Sequence, residues 1–224
     1  MTSTTPAPAA FHWRLTDDAS ALYALHSAVA AKAPPGMVRP DALSHFERHT
    51  GASGQTIGCF LDSGELVAYG VLGLQSATVQ HLAGLIGADA NTLCALDGAS
   101  TRPAWRGHGL HRAAIAERIN QARRIGRAVV AATAAPENIR SLRSLFHEGF
   151  EVVHFAIMYG GLARLVVRRA VDPSAHAWHC ELRVQAADHL SHRNALAAGM
   201  HGYACERDAS GAWCVAYGFP DARD

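Results

Sequence analysis

Between Pro103 and Ala113 the chain reads PAWRGHGLHRA: two glycines, Gly107 and Gly109, stand one residue apart and are bracketed by Arg106 and Arg112. The stretch lies between an apolar, strand-like run and a helix-like run. A backbone passing from a strand end into a helix N-terminus leaves several amide N–H groups without acceptors, with the positive end of the helix dipole behind them. Phosphate fits such a turn. Glycine permits positive φ and lets an anion approach the backbone without meeting a β-carbon, while the arginines add charge-assisted hydrogen bonds. No Lys-Ser or Lys-Thr follows as in a P-loop, and neither a third glycine nor a later acidic ribose ligand marks a dinucleotide-binding turn.

The neighbouring elements must hold this turn. Thr92 to Thr101 reads as a strand running into it, and Gly109 to Ile125 as a helix with Leu110, Ala114, Ile115, Ile119 and Ala122 inward and Arg112, Arg118, Arg123 and Arg124 outward. Arg127 to Ala134 is a short apolar run of the buried-strand kind. The next helix is opened by Pro136 and closed by Gly149. Two further strands follow, at 151–160 and 162–171. Upstream, Phe11 to Leu15 reads as a strand, and a helix follows with Asp17 or Asp18 as N-cap and Leu22, Leu25 and Val29 on one face. PPGMVRP breaks that helix before a second short one begins behind Pro40 and Asp41. Gln55 to Leu74 is a hairpin turning at Asp62, Ser63 and Gly64, and residues 75–92 form a long connection with a short helix at Val79 to Ile86. Beyond Pro173 a strand, a short helix and a hairpin turning at Asp208 to Gly211 complete the chain.

In this strand-helix-strand-helix setting the turn resembles the GNAT superfamily of acetyl-CoA-dependent N-acyltransferases. Pro103, Trp105, Arg106, Gly107, Gly109 and Leu110 match that family's P-x-Y-R-G-x-G-L pyrophosphate loop, and Asn138, Ser141, Gly149 and Phe150 match its downstream N-x-x-[AS]…G-F signature. The resemblance spans residues 11–170, about three quarters of the chain. It implies an α/β fold: a mixed, twisted central sheet flanked by helices, with acyl-CoA lying in the V between two parallel strands. Ser100 and Thr101 would pair backbone groups with the pantetheine arm. Arg106, Gly107, His108, Gly109, Leu110, His111 and Arg112 would cradle the pyrophosphate, and Asn138 would contact the cofactor near the thioester or pantetheine.

The resemblance also implies a reaction. An acetyl or short acyl group would pass by direct attack to the primary amine of a small-molecule or amino-acid-like acceptor. The chain departs from the family at His111, where glycine or alanine is usual, and at Leu145, where many relatives carry the tyrosine that protonates the departing thiolate. Asp97, four residues before Thr101, is the candidate base, because an amine must be neutral to attack a thioester; it could instead fix a backbone amide or contact the substrate's charge. Ser144, His147 and Tyr159 are acid candidates by neighbourhood, and solvent could also serve. Two other readings stay open: a catalytically silent acyl-CoA-binding sensor or partner module, favoured by Leu145, and a protein lysine or N-terminal acetyltransferase.

Composition bounds the rest. The 224 residues carry a formal net charge of +1, with 49% hydrophobic and 17% charged residues. There is no global field for nucleic acid or an anionic membrane, so any bound anion must be held locally. MTSTTPAPAA lacks the basic start and apolar run of a signal peptide, and no run reaches the roughly 20 apolar residues of a membrane span, so the chain reads as cytoplasmic. Cys59, Cys94, Cys180, Cys205 and Cys214 form no CxxC pair and read as buried thiols. Fourteen histidines include two i, i+3 pairs, His108 with His111 and His189 with His192; with no nearby carboxylate or thiolate set, no metal is expected. His26, His45, His81 and His154 read as structural, and His189 and His192 as solvated. The expected organisation is a flexible tail at 1–10, a GNAT-like domain at 11–172, and a small α+β extension at 173–224 packed on it. A homodimer through the C-terminal hairpin is a further expectation.

Overall fold

The computed structural model describes residues 10–51, 53–173 and 177–220; most of the tail expected at 1–10 lies outside them. Ten strands form one sheet: β1 (His12–Leu15), β2 (Gly54–Phe60), β3 (Leu66–Gly73), β4 (Leu93–Thr101), β5 (Val129–Ala134), β6 (Glu151–Met158), β7 (Leu162–Ala170), β8 (Trp178–Gln185), β9 (His201–Arg207) and β10 (Trp213–Pro220). Their spatial order is β1-β2-β3-β4-β5-β7-β6-β9-β10-β8. Among the registers, β4 with β5 is parallel and the others are antiparallel.

Six α-helices cover the sheet: α1 (Ala19–Ala30), α2 (Leu43–Arg48), α3 (Ala77–Ile86), α4 (Leu110–Arg124), α5 (Ile139–His147) and α6 (His189–Ala197). The period-2 alternation of the central strands sorts them into two layers. Leu93 and Ala95 of β4 face α3 through Val79 and Leu82. Cys94 and Leu96 face α4 and α5 through Ile115, Ile119, Leu142 and Leu145. With both faces covered, β3 is buried along its whole length, which is why its sequence is almost uninterruptedly apolar.

Local chemistry sets the helix ends. Asp18 rather than Asp17 caps α1, accepting from Ala21 N at 2.9 Å. Ser76 and Asp188 do the same for α3 and α6. In α5 the cap is Asn138, whose Oδ1 accepts from Ser141 N at 3.2 Å, so the helix opens at Ile139, three residues after the expected Pro136. Gly149, at φ +78, closes it as expected.

Several expectations of exposure are corrected. Arg118 points inward and is 2% exposed, because its guanidinium finds backbone carbonyls beneath the sheet. His192 is fully buried rather than solvated, its Nδ1 paired with the Tyr217 hydroxyl at 2.8 Å. Cys180 is exposed and Cys205 part-buried, while the other three thiols are buried.

Strands β8 to β10 and α6 continue the sheet beyond β6 instead of stacking on its face. Between β6 and β9 the ladder has the one registered pair Val152↔Gly202, and side-chain contacts such as His201 with Glu151 and Arg143 with Trp213 add to it. A Cβ on Gly202 would sit 3.0 Å from that of Val152 and 2.9 Å from Val215 Cγ1, so only glycine fits this seam. Behind it, Val152, Val184, Ala195, Val215 and Tyr217 join the core of the α4–α5 layer.

Candidate active site

The parallel pair β4–β5 holds register only from Leu93↔Val129 to Leu96↔Ala132. Beyond Leu96 the strands part. The cause lies in β4: its register with β3 skips between Leu72↔Leu96 and Gly70↔Ala99, so Asp97 and Gly98 form a bulge opposite Val71. Gly98 takes φ +114, a conformation L-residues avoid. Past the bulge β4 stays with β3 through Ser100↔Tyr69 and Thr101↔Ala68, while β5 stays with β7 through Ala134↔Leu165. The β5-facing edge of Asp97 to Thr101 therefore has no partner strand. Arg118 fills the space behind the bulge, donating from Nη1 to Gly98 O (3.1 Å) and Val71 O (3.2 Å) and from Nε to Ala114 O (2.8 Å).

A cleft of about 1150 Å³ runs through this split. At one end lies the glycine turn. Gly107 and Gly109 have φ +88 and +73, and a Cβ on either would meet no protein atom within 4 Å. Backbone conformation and the open space in front of the turn, rather than packing, call for glycine there. Gly109 is the N-cap of α4 and no side chain caps the helix. Among the described residues, the backbone N–H groups of Gly107 through Arg112 donate to no protein acceptor. A helix N-terminus with its amide donors free has the geometry that suits an anion.

The expected loop residues divide. Arg106, Gly107, Gly109, His111 and Arg112 line the cleft. Leu110 does too, but its side chain is an anchor, 3% exposed against Cys59, Val67 and Ala68. His108 turns away: its Nδ1 lies 3.3 Å from the carbonyls of Trp105 and Arg106 and its ring packs edge-on against Trp105. Arg112 Nε pairs with Glu148 at 2.9 Å. His111 is part-buried; desolvation, with a contribution from Arg118, pushes its pKa down to about 4, so it carries no charge at neutral pH. Ser100 is buried, its Oγ accepting from the Tyr69 hydroxyl at 3.4 Å, so it and Thr101 offer the cleft chiefly backbone.

The opposite wall is α5. Asn138 borders the cleft with its Oδ1 committed to the cap. Ser144 lines the cleft, its hydroxyl donating to Arg140 O at 3.1 Å. His147 does not line it: the ring is 56% exposed and sits 3.5 Å from Glu148. Leu145 is core, 3% exposed. Trp213, from the far end of the chain, reaches this wall, with the Arg143 guanidinium 5.1 Å over its ring.

At the other end lies a charged cluster. Asp97, 4% exposed, borders the cleft; its Oδ1 accepts from Arg39 Nη2 at 3.0 Å. Arg39 also donates to Asp41 at 2.5 Å and stacks on Tyr159, its Cζ 4.8 Å from the ring centre. Burial opposes the charge on Arg39, but Asp97 and Asp41 outweigh it and raise its pKa. The Tyr159 hydroxyl meets Thr133 Oγ1 at 3.3 Å, just past the split on β5. Beneath Asp97, His45 and His49 bring their ligand-type atoms and its carboxylate within 4.8 Å of one another, a buried trio the sequence reading missed. His49 Nδ1 faces His45 O at 2.7 Å, and its Nε2 lies 3.5 Å from Asp97 Oδ2 with no hydrogen-bond partner. Arg39 already holds Asp97 Oδ1, and His45 Nε2 pairs with Asp97 O at 3.1 Å, so two of the three are committed within the protein.

Spacing along the chain gave no sign of Arg39, Arg164, His49 or Trp213, which come from four separate segments. The PPGMVRP break was the one available pointer to Arg39: a proline-rich strap between helices crosses the cleft mouth.

No family model and no curated protein matches the chain. Solved structures do. The chain is similar to the ribosomal-protein-S18-alanine N-acetyltransferase from Escherichia coli, with 13% identity and a TM-score of 0.54 over 75% of this chain and 97% of that one. It is also similar to a GNAT-family acetyltransferase from Streptococcus pneumoniae, with 14% identity and a TM-score of 0.57 over 73% and 100%. A third is a GNAT superfamily phosphinothricin acetyltransferase from Sinorhizobium meliloti in complex with AcCoA, with 15% identity and a TM-score of 0.53 over 72% and 88%. The chain is thus an α/β protein built on a split parallel strand pair. Its fold is the GNAT fold.

Proposed function

We propose that the chain is an N-acyltransferase of the GNAT superfamily that moves an acetyl or short acyl group from acyl-CoA to the primary amine of a small acceptor. The observation that carries this reading is one cleft joining the free amides of Gly107 to Arg112 to the unpaired edge of β4 at Asp97 to Thr101. Pyrophosphate fits the first, with Arg106 and Arg112 adding charge, and the amide groups of pantetheine fit the second as an added strand. Asn138 lines the same cleft from the α5 side.

In the reaction, the acceptor nitrogen attacks the thioester carbonyl carbon, the C–N bond forms and the C–S bond breaks. Asp97 takes the ammonium proton, directly or through water, and backbone N–H of the splayed strand faces the oxyanion. Asp97 is poised for this by Arg39, which fixes one carboxylate oxygen. Of the acid candidates, Tyr159 and Ser144 border the cleft and His147 does not; the Tyr159 hydroxyl, held at Thr133 beside the split, is the proton donor to the thiolate.

The test is thiol release from acetyl-CoA over a broad panel of amines, with calorimetric titration of CoA. Saturable CoA binding and turnover of at least one amine support the reading. Tight CoA binding with no turnover across amines, lysine peptides and peptide N-termini would instead support a silent acyl-CoA sensor, the reading favoured by Leu145 in the core.

A further inference from the structure

A second arginine borders the cleft beside Tyr159. Arg164, on β7 opposite Ala156, is 5% exposed. Its Nη1 donates to Ala163 O at 2.8 Å and its Nη2 to Gly36 O of the strap at 2.9 Å. Both acceptors are neutral carbonyls, and no carboxylate among the described residues pairs with it. The nearest acidic group lining this part of the cleft, Glu137, is turned to His189 at 2.9 Å. Arg39 differs: two carboxylates hold it. Of the remaining buried charges, Arg118 lies behind the β4 bulge, and its positive charge acts on Asp97, which further reduces any surplus of negative charge that could serve Arg164.

A guanidinium has five N–H donors and a planar fork that matches a carboxylate. Burying one with carbonyls as its hydrogen-bond acceptors is costly unless an anion completes the site. Burial lowers the Arg164 pKa, and the opposing influence of Tyr159 and Glu137 does not make up for it. Tyr159 marks the spot further: it is a non-glycine residue at φ +52 among the described residues, and its ring centre lies 4.8 Å from the Arg39 guanidinium and 5.9 Å from that of Arg164. Backbone strain of this kind persists where the surroundings enforce it, often at ligand sites. One aromatic ring is thus shared by the Arg39–Asp97 pair, where the amine reacts, and the arginine without a carboxylate partner.

We propose that Arg164 is the anchor for a carboxylate on the acceptor, and that the acceptor is a compact amino acid whose amine reaches Asp97 while its carboxylate lies against Arg164 beneath the strap. The inference rests on the acyltransferase reading and names its substrate class.

The test uses the full chain and matched acceptors: small amino acids, their carboxamides and the corresponding decarboxylated amines, each with acetyl-CoA. A charge-assisted hydrogen-bonded pair contributes about 1.5–3 kcal/mol, so the acids should exceed the amides about 10- to 100-fold in kcat/KM. Arg164→Gln, which retains a donor for Gly36 O, should raise KM for the acids and bring the acid-to-amide ratio towards one. A thermal midpoint and CoA titration on the variant check that the fold survives. Equal use of acids and amides by the unaltered protein, or an equal loss for both in Arg164→Gln, overturns the proposal. If nothing turns over, acyl transfer itself fails, and calorimetry of the same acids and amides against the CoA-loaded protein decides the carboxylate anchor on its own: acids that bind no better than amides overturn it.

Discussion

Arg118 donates to the carbonyl of Gly98 at 3.1 Å, and Gly98 is the residue whose φ of +114 turns β4 away from β5. A buried cation on α4 therefore holds open the split in the sheet that creates the cleft. Gly70, directly above, must be glycine as well, since a Cβ there would lie 2.6 Å from Arg118 Nε. Arg118→Met removes the side-chain donor from the carbonyls of Val71 and Gly98. The expected cost is about 2–4 kcal/mol, read as a lower urea midpoint, together with a fall in kcat as the bulge relaxes. A variant with unchanged stability would show that the bulge holds itself.

The glycine turn makes a sharper prediction. Ala at Gly107 or Gly109 meets no protein atom but must adopt positive φ, so folding should lose only about 1–2 kcal/mol per site. Acetyl-CoA affinity should fall at least about tenfold, because the amides no longer point at one centre and the β-carbon occupies the anion's approach. Calorimetric titration reads the effect. His111→Gly, by contrast, should change that affinity less than about threefold, since its side chain is neutral at pH 7.

Asp97→Asn keeps the shape and the bond from Arg39 but removes the base. The turnover number should fall by about two orders of magnitude or more, with acetyl-CoA binding little altered. Equal losses in turnover and cofactor affinity would point to a structural part for Asp97.

Stability should weaken in mild acid. Burial lowers the pKa values of His26, His45 and His192 below the ordinary 6.5, and that of His111 to about 4. The unfolded chain takes up protons near pH 6.5 while the folded chain resists, so stability is full above that pH and is lost as pH falls from 6.5 towards 4. Urea midpoints at pH 7.5 and 5.0 measure it. Exchanging His192 for Gln should flatten part of the slope, at the expense of its bond to Tyr217.

Much of the fold was legible in local patterns: the hairpin at 55–74, the apolar alternation of the central strands and the helix starts all follow from neighbours in sequence. The conformation of the glycine turn was legible too, because glycines at fixed offsets dictate a backbone shape. The expected exposure of Arg118 failed for a physical reason: helical periodicity assigns charged residues outward, and only a bulge on another strand, with two free carbonyls, makes an inward arginine tolerable. His192 failed similarly, through a tyrosine 25 residues away. The charged end of the cleft was almost illegible, because Arg39, Asp97, Tyr159 and Arg164 meet only after the sheet has formed. Asp97 was found through its place before the turn; its partners carry no fixed offset to it.

The seam at Val152 and Gly202 gives the molecule a line of weakness. A ladder of one rung resists shear poorly, so a pull on the C-terminal end should unzip β8 to β10 as a block before the central strands yield, with the shared valines and the His201–Glu151 contact as resistance. Trp213 travels with that block. Opening the seam would thus withdraw Trp213 from the cleft wall, and the residence time of whatever lies there is tied to the mechanical integrity of a junction far from the glycine turn.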